Sequence, residues 1–100
     1  MKMLDDAGVN TAMMTDALLS GSQMLVNQVG ECVRAGMDPI RALRMLTVNP
    51  AKMLGLEDRI GMLRPGMDAD IVVFDAMPCV VPKAQVEMTI IDGNVVYKKP

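Results

Sequence analysis

The sequence predicts an α/β fold: one extended segment and three helices, followed by a run of β elements. Three observations predict it. Residues 9–15 form a β-compatible stretch whose apolar residues do not alternate strictly with polar ones, as in a strand covered on both faces. From about residue 22 to residue 57, apolar positions recur at helical spacing. After Asp58 the helix formers give way to Gly, Pro, Asp and Val, and the period becomes extended. A boundary near Glu57 therefore divides residues 1–57 from residues 58–100. A single strand beside three helices has nothing of its own kind to pair with, so the chain reads as a C-terminal piece of a larger α/β protein.

Taken in order, Met1 to Asp6 reads as the last turn of a helix that Gly8 stops. Val9 to Thr15 is the predicted strand, with Asp16 at its C-terminal end and a loop over Ala17 to Gly21. Ser22 to Ala35 is the first long helix, with Leu25, Val29, Cys32 and Val33 on its apolar stripe and Gly36 as its stop. Gly30 inside it costs about 1 kcal/mol against Ala unless close packing requires it. Asp38-Pro39 opens the next helix, with Ile40, Leu43, Met45 and Leu46 facing inward. Asn49-Pro50 is expected to open the third in the same way, Asn49 as N-cap, and Gly55 to close it. Asp58 to Gly61 and Arg64-Pro65-Gly66 are turns. Ile71 to Phe74 is a β-branched apolar strand. Ala76 to Pro82 is a loop. Val86 to Ile91 and Asn94 to Tyr97 form a hairpin around Asp92-Gly93, a strong two-residue turn signal.

Bulk properties exclude several classes. The net charge is −2 and the basic residues are scattered, so no basic footprint for nucleic acid exists and no polybasic surface for a membrane. No apolar run reaches the roughly 18–20 residues of a membrane span, and the N-terminus lacks the apolar core of a signal peptide. A cytoplasmic setting follows, in which Cys32 and Cys79 are expected as idle thiols. The 12 Met among 100 residues read as core and interface filler. There is no His, which removes the commonest zinc ligand and general base.

Asn49 to Asp75, NPAKMLGLEDRIGMLRPGMDADIVVFD, resembles the C-terminal signature of the metal-dependent amidohydrolase superfamily. Asn49, Pro50, Ala51, Gly55, Arg59, Ile60, Gly61, Pro65, Gly66, Asp68, Ala69 and Asp70 match it. Asp92-Gly93 followed by Val95-Val96-Tyr97 fits the same ending. The resemblance runs from about Gly8 to Tyr97. It implies that residues 1–57 are the last strand and helices of a TIM-like (β/α)8 barrel and that residues 58–100 are part of a small β-sandwich.

Gly8 to Asp16 resembles the last barrel strand of that superfamily, which ends in a Thr-Asp pair. The resemblance implies that Asp16 is both catalytic base and metal ligand. A divalent metal, zinc in the first instance, lowers the pKa of bound water to about 7, and the carboxylate passes the water's proton to the leaving nitrogen. The bland alternative is that Asp16 caps the following turn through Ser20 or Gly21. Two departures stand out: Ala17 occupies a position often held by His, and the family's other ligands are His. A hydrolytic zinc site needs about three protein ligands, so this chain alone is expected neither to hold the metal tightly nor to be active. Asp68 and Asp70 are expected to meet backbone N–H groups or Arg59 and Arg64. Asp5 and Asp6 read as a solvated helix end.

The implied function is metal-dependent hydrolysis of carbon–nitrogen bonds other than peptide bonds, in cyclic amide, amidine or N-acyl substrates, as in imidazolonepropionase-like enzymes or N-acyl deacetylases. The competing reading is a non-catalytic module that docks on a partner barrel. The partners expected are a small-molecule substrate in the complete protein, and self-association or docking on the missing barrel for the chain alone.

Overall fold

The computed structural model describes residues 1–16 and 24–100. Four helices, α1 (Lys2–Asp6), α2 (Leu25–Arg34), α3 (Pro39–Arg44) and α4 (Val48–Met53), precede three strands, β1 (Ile71–Phe74), β2 (Val86–Ile91) and β3 (Asn94–Lys98). Among the described residues no helix is long and apolar enough to cross a membrane. The predicted loop at Ala17 to Gly21 and the start of the first long helix at Ser22 lie outside the described residues.

Helix ends follow the local chemistry. Asp38 caps α3 by accepting from the N–H groups of Ile40 and Arg41, both at 3.0 Å, and Pro39 stands where no N–H is required. Both α2 and α4 stop on a left-handed glycine, Gly36 at φ 97° and Gly55 at φ 69°. The N–H of Met37 then reaches the Cys32 carbonyl, and that of Leu56 the Ala51 carbonyl, closing both helices in the same manner. The start of α4 differs from expectation. Thr47, not Asn49, stands at its N-cap position, and Asn49 is the second residue of the helix with its side chain turned to another segment.

The expected strand over residues 9–15 joins no sheet. A ladder requires a neighbour, and the described residues offer this segment helix ends instead. The Met13 N–H donates to the Met45 carbonyl at 3.1 Å, and the Thr11 carbonyl accepts from the Asn49 side chain at 2.8 Å.

The sheet is antiparallel, in the order β1-β2-β3. Ile71 pairs with Ile90 and Val73 with Met88, while Thr89 pairs with Tyr97 and Ile91 with Asn94. Asp92 and Gly93 both have positive φ, 48° and 76°, as a two-residue turn matched to strand twist demands. The turn is tied down from outside. Asp70 Oδ1 accepts the Asp92 N–H at 2.9 Å, and the Ala69 carbonyl accepts the Gly93 N–H at 3.0 Å.

The core is helical. Val29, Met37, Ala42, Met45 and Cys79 are buried together, with Met13, Val26, Cys32, Val33, Leu43 and Leu46 packed around them. Cys79 reaches this core from the β1–β2 connection. A β-carbon on Gly30 would lie 3.1 Å from the Cys79 carbonyl, so close packing is the reason for a glycine inside α2. Both cysteines are free thiols. Burial raises the pKa of the Cys79 thiol.

Candidate functional site

Asp16 ends the segment that runs past the tips of α3 and α4. Its side chain is exposed, and its backbone has φ 48°. Left-handed backbone is uncommon outside glycine, although Asp tolerates it better than most residues. Asp16 makes no hydrogen bond or ion pair among the described residues. The suggested cap through Ser20 or Gly21, and the substitution at Ala17, lie outside the described residues.

The neighbours that fix this segment lie 38 and 39 residues away in sequence. Asn49 Nδ2 donates to the Thr11 carbonyl at 2.8 Å, and Asn10 Nδ2 donates to the Asn49 carbonyl at 3.3 Å. Thr11 is buried between them, at 5% exposure. Sequence reasoning gave Asn49 a local task and missed this one. Thr47 takes the N-cap position two residues earlier without capping, its hydroxyl donating to the Leu43 carbonyl at 3.0 Å, and nothing in the local sequence marks the distant partner of the Asn49 amide.

Most other acids have structural tasks. Asp68 pairs with Arg59 at 2.7 Å, and Asp75 Oδ1 accepts the Gln85 N–H at 2.8 Å. Asp5 and Asp6, expected to be solvated, instead meet Arg41 of α3 at 2.5 and 3.1 Å. Lys2 donates a hydrogen bond to Asp6, and this, with the charges of Lys2 and Arg41, holds the Asp6 carboxyl below its ordinary pKa. The Arg34 guanidinium lowers Glu31 in the same way, and Glu31 in return raises Arg34.

No three His, Cys, Asp or Glu side chains converge among the described residues. Asp16 offers a single carboxylate arm, exposed and apart from the other described acids that have structural partners. Two open concavities, lined by Met62 to Ile71 and by residues around the start of α4, do not include Asp16. On its own, then, the arrangement offers an exposed carboxylate at the end of a segment anchored at Asn10, Thr11 and Met13.

A profile of the amidohydrolase family matches residues 1–96. The chain belongs to the amidohydrolase family. A solved amidohydrolase from Thermotoga maritima superposes with TM-score 0.88 at 42% identity, over 96% of this chain and 25% of its own. An adenine deaminase of Ligilactobacillus salivarius is 40% identical over 79 residues, 69% of this chain. The amidohydrolase tasK of Hapsidospora irregularis is 34% identical over 99 residues, 99% of this chain. The chain spans only 14% and 10% of the length of those two relatives.

Proposed function

We propose that this chain is the segment of an amidohydrolase that carries the proton-transferring carboxylate, Asp16. In this reading residues 9–16 are the last strand of a TIM-like barrel whose other strands come from the rest of the hydrolase. Residues 58–100 belong to its small β-sandwich. The observation that carries the reading is an exposed acid with no partner among the described residues, in left-handed backbone, at the end of a segment anchored by three hydrogen bonds. An observed backbone outlier of this kind is a reason to look for function there.

The reaction is hydrolysis of a carbon–nitrogen bond that is not a peptide bond. The substrate class is a cyclic amidine or amide, with adenine the first compound to test because relatives bear the name adenine deaminase. The carboxylate of Asp16 accepts a proton from the attacking water and returns it to the departing nitrogen, which then leaves as a neutral amine. Family membership implies a divalent metal, zinc in the first instance. Asp16 would be one of the about three protein ligands such a site needs, the others coming from outside residues 1–100. The cytoplasmic setting expected from the sequence goes with this reading.

The test is Asp16→Asn in the complete hydrolase that contains this segment. The amide keeps the shape and removes the anionic oxygen. Turnover should fall by about 10²–10⁴-fold with an unchanged thermal midpoint. Normal turnover removes Asp16 from the chemistry. Loss of turnover together with a collapsed midpoint assigns it to capping instead.

A further inference from the structure

We infer that Asn49 is a positioning residue for Asp16, an assignment that rests on the reading of Asp16 as the reacting carboxylate. Its side-chain amide and its main-chain carbonyl hold residues 10 and 11, five or six residues before that acid.

The local sequence gives Asn49 no task in its own helix. Thr47 is the N-cap of α4, and Asn49 is its second residue. An asparagine inside a helix costs about 0.5 kcal/mol or more against a good helix former. What it supplies is a donor. Nδ2 lies 2.8 Å from the Thr11 carbonyl, in a part-buried setting where an unmade hydrogen bond is costly. Aspartate, of nearly the same shape, would set a carboxylate against that carbonyl.

Two further bonds act on the same short stretch. Asn10 Nδ2 donates to the Asn49 main-chain carbonyl at 3.3 Å, and the Met13 N–H donates to the Met45 carbonyl at 3.1 Å. No sheet ladder holds residues 9–16 among the described residues. The tips of α3 and α4 are what this chain itself contributes to where the segment runs, beside the barrel strands that the reading places outside residues 1–100, and Asp16 is at its end. Reacting groups must be placed to within about 0.5 Å, and a displacement of about 1 Å can cost on the order of 10²-fold in rate.

The experiment uses the complete hydrolase with Asn49→Asp, Asn49→Gln, Asn10→Ala and Asp16→Asn. It measures kcat and KM, thermal midpoint, and amide hydrogen exchange over residues 9–16. The expected result for Asn49→Asp is a kcat lower by about 10–10²-fold, with KM and midpoint unchanged. Exchange should quicken at Met13 and not in α2. Asn49→Gln, which keeps the donor, should regain part of the rate.

Normal kcat in Asn49→Asp, with Asp16→Asn inactive, overturns the positioning role and leaves the Asp16 reading intact. Normal kcat in Asp16→Asn overturns both. Where the Asn49 variants lose their fold, Asn10→Ala decides, because Asn10 is exposed and holds the same stretch. A lowered kcat at an unchanged midpoint supports the assignment, and normal kcat overturns it.

Discussion

A β-carbon on Gly61 would lie 3.0 Å from the Ala51 β-carbon, 3.0 Å from the Thr47 carbonyl and 3.1 Å from the Val48 Cα, all of α4 or its cap. Its φ of 93° adds a conformational cost for any other residue. Gly66 has a similar φ, 90°, with nothing within 4 Å of the same position. The two glycines therefore separate strain from crowding. Gly66→Ala should cost about 1–2 kcal/mol from backbone conformation alone. Gly61→Ala should cost that and about 1–3 kcal/mol more from overpacking. Urea midpoints of the two variants check this, and equal losses would refute the close approach to α4. From sequence, Gly61 was legible as a turn residue and illegible as a packing residue, because the atoms it meets are 10 or more residues away. Asn49 shows the same limit. A cap is a local property and can be read locally, whereas a hydrogen bond to Thr11 depends on where the fold brings two distant segments. The proposal of Asp16 rests on the family ending of its segment, since one acid after an apolar run carries little information by itself.

At the level of elements, the helix stops, the Asp38 cap and the 92–93 hairpin were all readable, because each is decided by residues within one or two turns. Removing the cap with Asp38→Ala should lower stability by about 0.5–2 kcal/mol, since two N–H groups at the start of α3 lose their acceptor. A change below a few tenths of a kcal/mol in the denaturation midpoint would show that water replaces it freely. The segment at 9–15 forms no ladder among the described residues, because strand formation is a property of pairs and its apolar run specifies only half of one. Docking of α1 was missed for a related reason. Asp5 and Asp6 look solvated until α3 brings Arg41 to them. That docking should depend on pH. The folded-state pKa of Asp6 is lowered, first by the hydrogen bond from Lys2 and then by the nearby cations. Its contribution is therefore complete above the ordinary carboxylate range and is lost as pH falls through the lowered folded value. Protection of the Val9 amide, whose N–H closes α1 on the Leu4 carbonyl, should fall relative to its intrinsic exchange rate at each pH on acidification, and with added salt. Protection indifferent to both would mean that the ion pairs do not hold α1.

The whole molecule exposes more than a self-sufficient domain of its size should. Its accessible surface is 6923 Å². A folded monomer of 10.8 kDa is expected to expose about 5,500 Å², so the excess is on the order of 1,400 Å². Its radius of gyration is 14.0 Å, against about 13 Å for a compact chain of this length. The sheet accounts for part of the excess. Val95 and Val96 sit at the bulge of β3 opposite Thr89 and Ile90, and each is 57% exposed. Val72 and Val73 follow each other on the regular part of β1 and so point to opposite faces, at 49% and 42% exposure. The outer strands thus leave valines open to water on both faces, whereas a free-standing antiparallel sheet turns polar residues to water on one side. The excess area exceeds the roughly 800 Å² that one partner contributes to a standard protein interface. In isolation the chain should therefore self-associate or stay loosely packed. Lys98 and Lys99 blunt the β3 edge, so association should use the faces rather than strand addition. Sedimentation should show an average mass that rises with concentration, alongside binding of a hydrophobic dye. Val95→Thr with Val96→Thr should reduce both while leaving the hairpin paired, because β-branched residues still suit the strand. A strict monomer with one sharp unfolding transition would show that the exposed faces need no cover.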